Sequence, residues 1–224
     1  MEDHPAPTAD AAGQRRTTRR REETRDRLLS AAFDVFAEVG VRGASVELIC
    51  ERAGYTRGAF YSNFTKKEEL LYAIAEREHT AALERLDRAI QAALDEHALD
   101  TTEDAVAMIL RGFLELHRPT RQWLMFWHEF QLEALRNPQI ADAFSRYEDA
   151  TLGRLAEVVV TAARHVGRQF LVSPVDLVKA CSGIFEISLQ ESFSRSPEED
   201  VTEGLLARIA PSLILHMSAE APSA

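Results

Sequence analysis

The chain has 224 residues, 46% of them hydrophobic, which supplies enough apolar surface for a packed core and excludes a wholly disordered polypeptide. Its two cysteines, Cys50 and Cys181, lie far apart, which excludes a disulfide scaffold and points to a reducing compartment, the cytoplasm. The net charge of −10 is unpromising for a nucleic-acid partner as a sum but not as a distribution: residues 1–67 hold twelve Lys and Arg against ten Asp and Glu, residues 68–224 fourteen against 26, and residues 11–27 alone seven Arg against three acids.

Taken in chain order, residues 1–14 lack apolar periodicity, and residues 1–20 are expected to form a disordered basic arm. A helix is predicted from Arg21 to Val39, with Leu28, Leu29, Ala32, Phe33 and Phe36 on one stripe and Gly40 as its stop. A second helix runs from Val46 to Arg52, with Ser45 as N-cap and Glu47 in the first turn, and ends at Gly54. Thr56 caps a third, from Arg57 to Phe64. From Lys67 a long helix extends to Glu96, with Leu70, Leu71, Ile74, Leu83, Leu86, Ile90 and Leu94 inward. Further helices are predicted over Thr102 to His117, Arg121 to Arg136, Ile140 to His165, Pro174 to Phe193 and Glu198 to Met217, the last kinked or frayed by Pro211. Residues Gly167 to Ser173 read as a loop and residues 218–224 as a loose tail. The fold class is therefore all-α with about nine helices: a three-helix domain over 21–66 and a larger helical domain over 67–217.

The second and third helices carry the first functional signal. "AGYT" joins them as a small-residue turn, the pattern of a helix-turn-helix whose second helix can enter a major groove. Phe60 and Phe64, at i and i+4, fit the core side. Arg57, Gly58, Ala59, Tyr61, Ser62 and Asn63 are left for the outer face. Arg can pair with guanine and Asn with adenine, Gly58 and Ala59 let the backbone approach base edges, and the Tyr61 and Ser62 hydroxyls suit phosphate oxygens. Ser45 and Thr56 sit at helix N-termini, where backbone N–H groups favour phosphate. Lys66 and Lys67 add two charges. Periodicity by itself also fits a purely structural helix pair.

"SVELICERAGYTRGAFYSNFTKKEELL" resembles the DNA-binding signature of the TetR family of transcriptional regulators. The matching positions are Cys50, Ala53, Gly54, Tyr55, Thr56, Gly58, Ala59, Phe60, Tyr61, Phe64, Lys67, Glu69 and Leu70, together with the first helix "LLSAAFDVFAEVG". Cys50 stands where Ala is usual, and Ser62 and Asn63 where His or an aromatic is frequent, which bears on the operator read. The resemblance implies a homodimer on double-stranded operator DNA, its two recognition helices roughly 34–36 Å apart in successive major grooves. It implies for Arg15, Arg16, Arg19, Arg20 and Arg21 either phosphate or minor-groove contacts or a general increase in non-specific affinity.

Beyond Leu70 the resemblance is one of architecture. It implies a small-molecule effector pocket among the middle helices and a dimer interface from the last two. "RQWLMFWHEF" supplies Trp123, Phe126, Trp127 and Phe130, which with Met108, Arg111 and Phe185 are the candidate pocket residues, and His117, His128 and Glu129 could add polar groups. Each aromatic also fits an ordinary core stripe. A hydrophobic or aromatic effector is expected. Leu177, Val178, Cys181, Ile184, Phe185 and Leu189, with Leu205, Leu206, Ile209, Leu213 and Ile214, could form a four-helix interface between two copies. Within that set, Leu177, Cys181, Ile184, Leu205, Ile209 and Leu213 are the candidate dimer contacts.

Other classes find little support. Glu76 and His79 form one Glu-x-x-His, where a di-iron bundle needs two, and no zinc spacing, nucleophile elbow or phosphate loop is present, so no metal, cofactor or enzymatic activity is expected. No apolar run reaches the ~20 residues of a membrane helix, and no secretory signal is visible. Cys50 fits a small core residue better than a redox sensor. A helical protein-interaction dimer, an activator and an architectural DNA binder stay open as alternatives to a repressor.

Overall fold

The computed structural model describes residues 9–95, 101–117, 120–195 and 205–221. The chain divides into two compact units, Met1–Ile74 and Ala75–Ala224. The described residues form nine helices and two short strands, an all-α fold with one small β ladder.

The first unit holds α1 (Ala9–Gly43), α2 (Val46–Ala53), α3 (Arg57–Tyr61) and the first turns of α4 (Glu68–Asp95). α1 begins earlier than the sequence suggested, so residues 9–20, expected in a disordered arm, are helical. Ala and Arg are strong helix formers, and extending an existing helix requires no new nucleation. Its helical geometry breaks at Gly40, with φ 74°, where the stop was expected. Leu28, Ala32, Val35 and Phe36 of α1, Ile49 of α2, Phe60 of α3 and Leu70, Leu71 and Ile74 of α4 are fully buried. Burial of side chains of this size stabilises by about 1.5–3 kcal/mol each. Because the start of α4 belongs to this core, the unit ends at Ile74 rather than at residue 66.

The second unit contains the rest of α4, then α5 (Thr102–His117), α6 (Arg121–Arg136), α7 (Pro138–His165), α8 (Pro174–Arg195) and α9 (Leu205–His216). α7 is the hub, packed against α5, α6 and α8. Its Leu155, Val158, Val159 and Ala162 share one core with Leu86, Ile109, Leu124, Val178, Phe185 and Leu189. A Cβ at Gly112 of α5 would come within 3.1 Å of Leu86, so the glycine permits close passage of that side chain. The breaks between helices are capped. Thr120 Oγ1 accepts from Trp123 N–H at 3.1 Å, and Asn137 Oδ1 accepts from Gln139 N–H at 3.0 Å with Pro138 opening α7. Pro211 lies inside α9. The expected start of that last helix, Glu198, lies outside the described residues.

Residues Gly167–Ser173 and the tail from Ser218, expected as loop and loose end, contain instead β1 (Arg168–Phe170) and β2 (Ser218–Glu220), paired antiparallel with Arg168 opposite Glu220 and Phe170 opposite Ser218. Leu171 N–H donates to Met217 O and Ala221 N–H to Gly167 O, both at 2.8 Å. The Arg168 guanidinium donates to Ser218 Oγ at 2.9 Å, Ser218 O at 2.8 Å and Leu215 O at 3.1 Å. Three-residue strands held by one guanidinium carry no alternating pattern to read in the sequence. Among the described residues no helix is long and apolar enough to cross a membrane.

Candidate nucleic-acid interface and ligand cavity

In the first unit three local bonds build the helix pair. Ser45 Oγ accepts from Leu48 N–H at 3.1 Å and starts α2. Gly54 adopts φ 72° and closes it, with Tyr55 N–H donating to Cys50 O at 2.9 Å. Thr56 Oγ1 accepts from Ala59 N–H at 3.3 Å and starts α3. Phe60 and Phe64 turn inward, their ring centroids 5.8 Å apart, and Cys50 is buried in the same unit, where burial pushes its thiol up. Arg57, Gly58 and Tyr61 face outward. Arg57 pairs with Glu47 of α2 at 2.7 Å and lies 5.9 Å from the Tyr61 ring. A Cβ at Gly58 would meet only Thr56 Oγ1, at 3.7 Å, so the fold itself does not require a glycine there.

Other expected contacts are engaged within the protein. Ser62 Oγ donates to Ala59 O at 2.8 Å, and Asn63 Nδ2 folds back onto the same carbonyl at 2.8 Å. Lys67 Nζ, half-buried, donates to Val41 O at 2.8 Å and Ala44 O at 2.6 Å, closing the end of α1. Lys66 is exposed. Arg21 reaches from α1 to Ser62 O at 3.2 Å, and the Arg25 guanidinium stands 4.8 Å over the Phe64 ring, so the basic run sits beside α3. The side chains of Arg15 and Arg16 lie outside the described residues.

Two supports escaped the sequence reading. Glu69 accepts from both the backbone N–H and the hydroxyl of Thr65, which holds its carboxyl below the usual carboxylate range. Threonine followed by a glutamate one turn on is a reach-back cap and could have signalled it. Arg52 makes two 2.8 Å bonds to Glu38, tying α2 to α1.

In the second unit a cavity of about 170 Å³ opens between α6, α7 and α8. Of the candidate pocket residues, Trp123, Trp127 and Phe185 line it. Met108, Phe126 and Phe130 are core side chains instead, 7%, 3% and 1% exposed. The side chains of Arg111 and His117 lie outside the described residues. The remaining walls come from Tyr147, Glu148 and Thr151 of α7 and Lys179, Ser182 and Glu186 of α8, among others. The two indoles are parallel within 9°, centroids 5.7 Å apart, and Trp127 contacts Tyr147 at 5.4 Å and Phe144 at 5.0 Å.

The polar groups of the cavity are specific. Thr151 Oγ1 lies 3.0 Å from His79 Nδ1, and the His79 ring packs edge-on against Tyr147 at 5.1 Å. Burial pushes the Tyr147 phenol up to about 12, a hydrogen bond with Thr151 opposing the rise, and burial likewise lowers the pKa of His79. His128 links α6 to α8, 3.4 Å from Glu186 and 3.1 Å from Gln190. Ser182 Oγ is buried without a hydrogen-bond partner among the described residues. In addition, no group of three or more His, Cys, Asp or Glu among the described residues is arranged to hold a metal.

The candidate dimer residues divide. Leu177 and Cys181, 5% and 3% exposed, belong to the unit's own core, where burial pushes the Cys181 thiol up to about 11. Ile184 and Leu213 pack against that core, and Leu205 is half-buried. Ile209 is 38% exposed; Ile187 at 50% and Leu215 at 40% are exposed apolar side chains that the sequence stripe missed. A helix apolar on several sides does not reveal from sequence which side its own core takes.

A short helix pair with buried aromatics, a left-handed glycine turn and a basic outer face defines a helix-turn-helix domain, joined here to a helical unit with a cavity. Residues 28–74 match the model of the tetR family of bacterial regulatory proteins. It is 44% identical over 71 residues to the HTH-type transcriptional regulator SrpR of Pseudomonas putida, covering 31% of this chain and 33% of that one. The chain spans between a third and about half the length of the curated relatives it matches first. Among solved structures it is similar to SmeT, the repressor of the Stenotrophomonas maltophilia multidrug efflux pump SmeDEF, with TM-score 0.54 and 27% identity over 87% of this chain and 91% of SmeT. Salmonella enterica GusR gives TM-score 0.62 at 22% identity, covering 87% of this chain and 94% of GusR.

Proposed function

We propose that this protein is a sequence-specific transcriptional repressor that binds a palindromic operator as a homodimer and releases it when a small hydrophobic or aromatic molecule occupies the cavity of the second unit. One observation carries the DNA half: α3 and the turn that follows it place Phe60 and Phe64 inward and leave Arg57, Gly58 and Tyr61 outward, with a glycine at 58 that the fold does not need. Arg57 would read a guanine, and Tyr61, Lys66 and the α1 arginines would meet phosphates. The likeness to SmeT supports repression. Exposed Ile187, Ile209 and Leu215 are the side chains offered to a second copy.

Release follows from differential binding. An effector that favours the conformation poor at holding DNA shifts the population toward it. α4 gives its first turns to the DNA-binding unit and the remainder to the effector unit, a covalent route for that coupling. Saturating operator must then weaken effector binding by the same factor. Selection of the purified protein against random duplex DNA, followed by titration at several salt concentrations, tests the DNA half. An inverted repeat bound with a steep salt slope is expected. Recovery of no sequence, with binding that vanishes at physiological salt, would overturn it.

A further inference from the structure

We propose that the effector is a protonated amine on a single-ring apolar body. The inference rests on the cavity between α6, α7 and α8 being the effector site. Its size suits one ring: an apolar cavity of ~150 Å³ accommodates benzene, and this one measures about 170 Å³. The Trp123 and Trp127 planes cannot sandwich that ring, since their centroids are 5.7 Å apart, whereas insertion requires about 7 Å, twice the contact distance between carbon atoms. The ligand therefore lies against the outer face or edge of the indoles and against Tyr147, whose π faces attract a cation.

The charges of the wall decide the sign. Glu148 and Glu186 are half-buried on the cavity, and Lys179 is exposed. Among the described lining residues two carboxylates stand against one ammonium, and the lysine charge is the one water screens best. Among the described residues Glu186 is met by the His128 ring, at 3.4 Å, and Glu148 has no ion-pair partner. A neutral ligand would desolvate these carboxylates without compensation, and an anion would add repulsion. An ammonium placed between the aromatic faces and Glu148 meets both. An amine that retains a proton can donate an N–H to the Glu148 carboxylate, which a quaternary ammonium cannot.

The chain's two tryptophans both line the cavity, so fluorescence of the intact protein reports occupancy directly. Three probes of similar shape distinguish the charge: 2-phenylethylamine, 2-phenylethanol and 3-phenylpropanoate. The amine is expected to bind at least about tenfold tighter than the alcohol, and the carboxylate weakest, since hydrogen bonds to charged groups are the stronger ones. Glu148→Gln is expected to erase most of that preference and leave the alcohol unchanged, while Lys179→Gln tightens the amine. Unchanged melting of the variants checks that the fold is kept. Equal or tighter binding of the alcohol or carboxylate, failure of the amine to bind at millimolar concentration, or an indifferent Glu148→Gln variant would overturn the proposal. Operator release measured in parallel separates the two ideas. Amine binding that leaves operator affinity unchanged keeps the ligand class and refutes the effector mechanism; release by the alcohol with no preference for the amine does the reverse.

Discussion

Replacing Lys67 with Met tests whether the first unit uses this lysine as an internal clasp or as a phosphate contact. Its Nζ donates to Val41 O at 2.8 Å and Ala44 O at 2.6 Å in the turn that follows Gly40. Hydrogen bonds to a charged group contribute ~1.5–3 kcal/mol, and with the site half-buried the loss of both is expected to cost about 2–3 kcal/mol. At about 1.4 kcal/mol per decade, the segment around residues 41–50 should then open roughly 30- to 150-fold more often. Hydrogen exchange of the full chain, read by mass spectrometry on peptides covering that segment, measures this directly. Operator binding at permissive temperature should keep its salt slope. Lys66→Met should do the opposite: unchanged exchange, and a slope shallower by ~0.9 for one lost phosphate contact. A Lys67→Met variant with native exchange and a slope reduced by about one unit would refute the internal role.

Gly58→Ala should leave melting unchanged or slightly improved, because a Cβ there meets only Thr56 Oγ1 at 3.7 Å, and the exposed Gly58→Leu variant should weaken operator binding by about tenfold or more in gel-shift titration by blocking approach to base edges. Phe130→Ala removes a ring 1% exposed that packs 5.1 Å from Phe144 and 6.3 Å from Trp127. Its expected cost is about 3–5 kcal/mol in urea denaturation followed by tryptophan emission. His79 has its pKa lowered by burial, so the unfolded chain takes up the proton first as pH falls. The stability of the second unit should be complete above the unfolded value of ~6.5 and decline below it until the folded form also protonates. His79→Gln should flatten that decline when urea midpoints at pH 7.5 and 5.5 are compared.

Much of the first unit was legible because its signals are local. Ser45, Gly54 and Thr56 each act on a neighbour within four residues, and Phe60 and Phe64 follow helical spacing, so cap, turn and core face could be read from the string. The roles of Asn63 and Lys67 were not. Each has a polar group that could serve DNA or the backbone, and Lys67 reaches carbonyls more than twenty residues away. The cavity shows the same division. Trp123 and Trp127 could be grouped from the sequence because they share one helix. Tyr147, Glu148, Ser182 and Glu186 were not, since only the packing of α7 and α8 brings them to the same space. The early start of α1 was missed because charge and two prolines in the first residues outweighed Ala and Arg propensity.

The β1–β2 ladder also has a consequence in time. Its two strands lie fifty residues apart in the chain, from Arg168 to Ser218, and β2 follows all nine helices. During synthesis the DNA-binding unit has every residue of its core long before β1 meets its partner. Such a long-range pairing must bear its loop-closure cost before its contacts are gained. The corner at Gly167 is therefore expected to be the last part of the second unit to lock, and the first place where an interrupted or truncated chain would remain open.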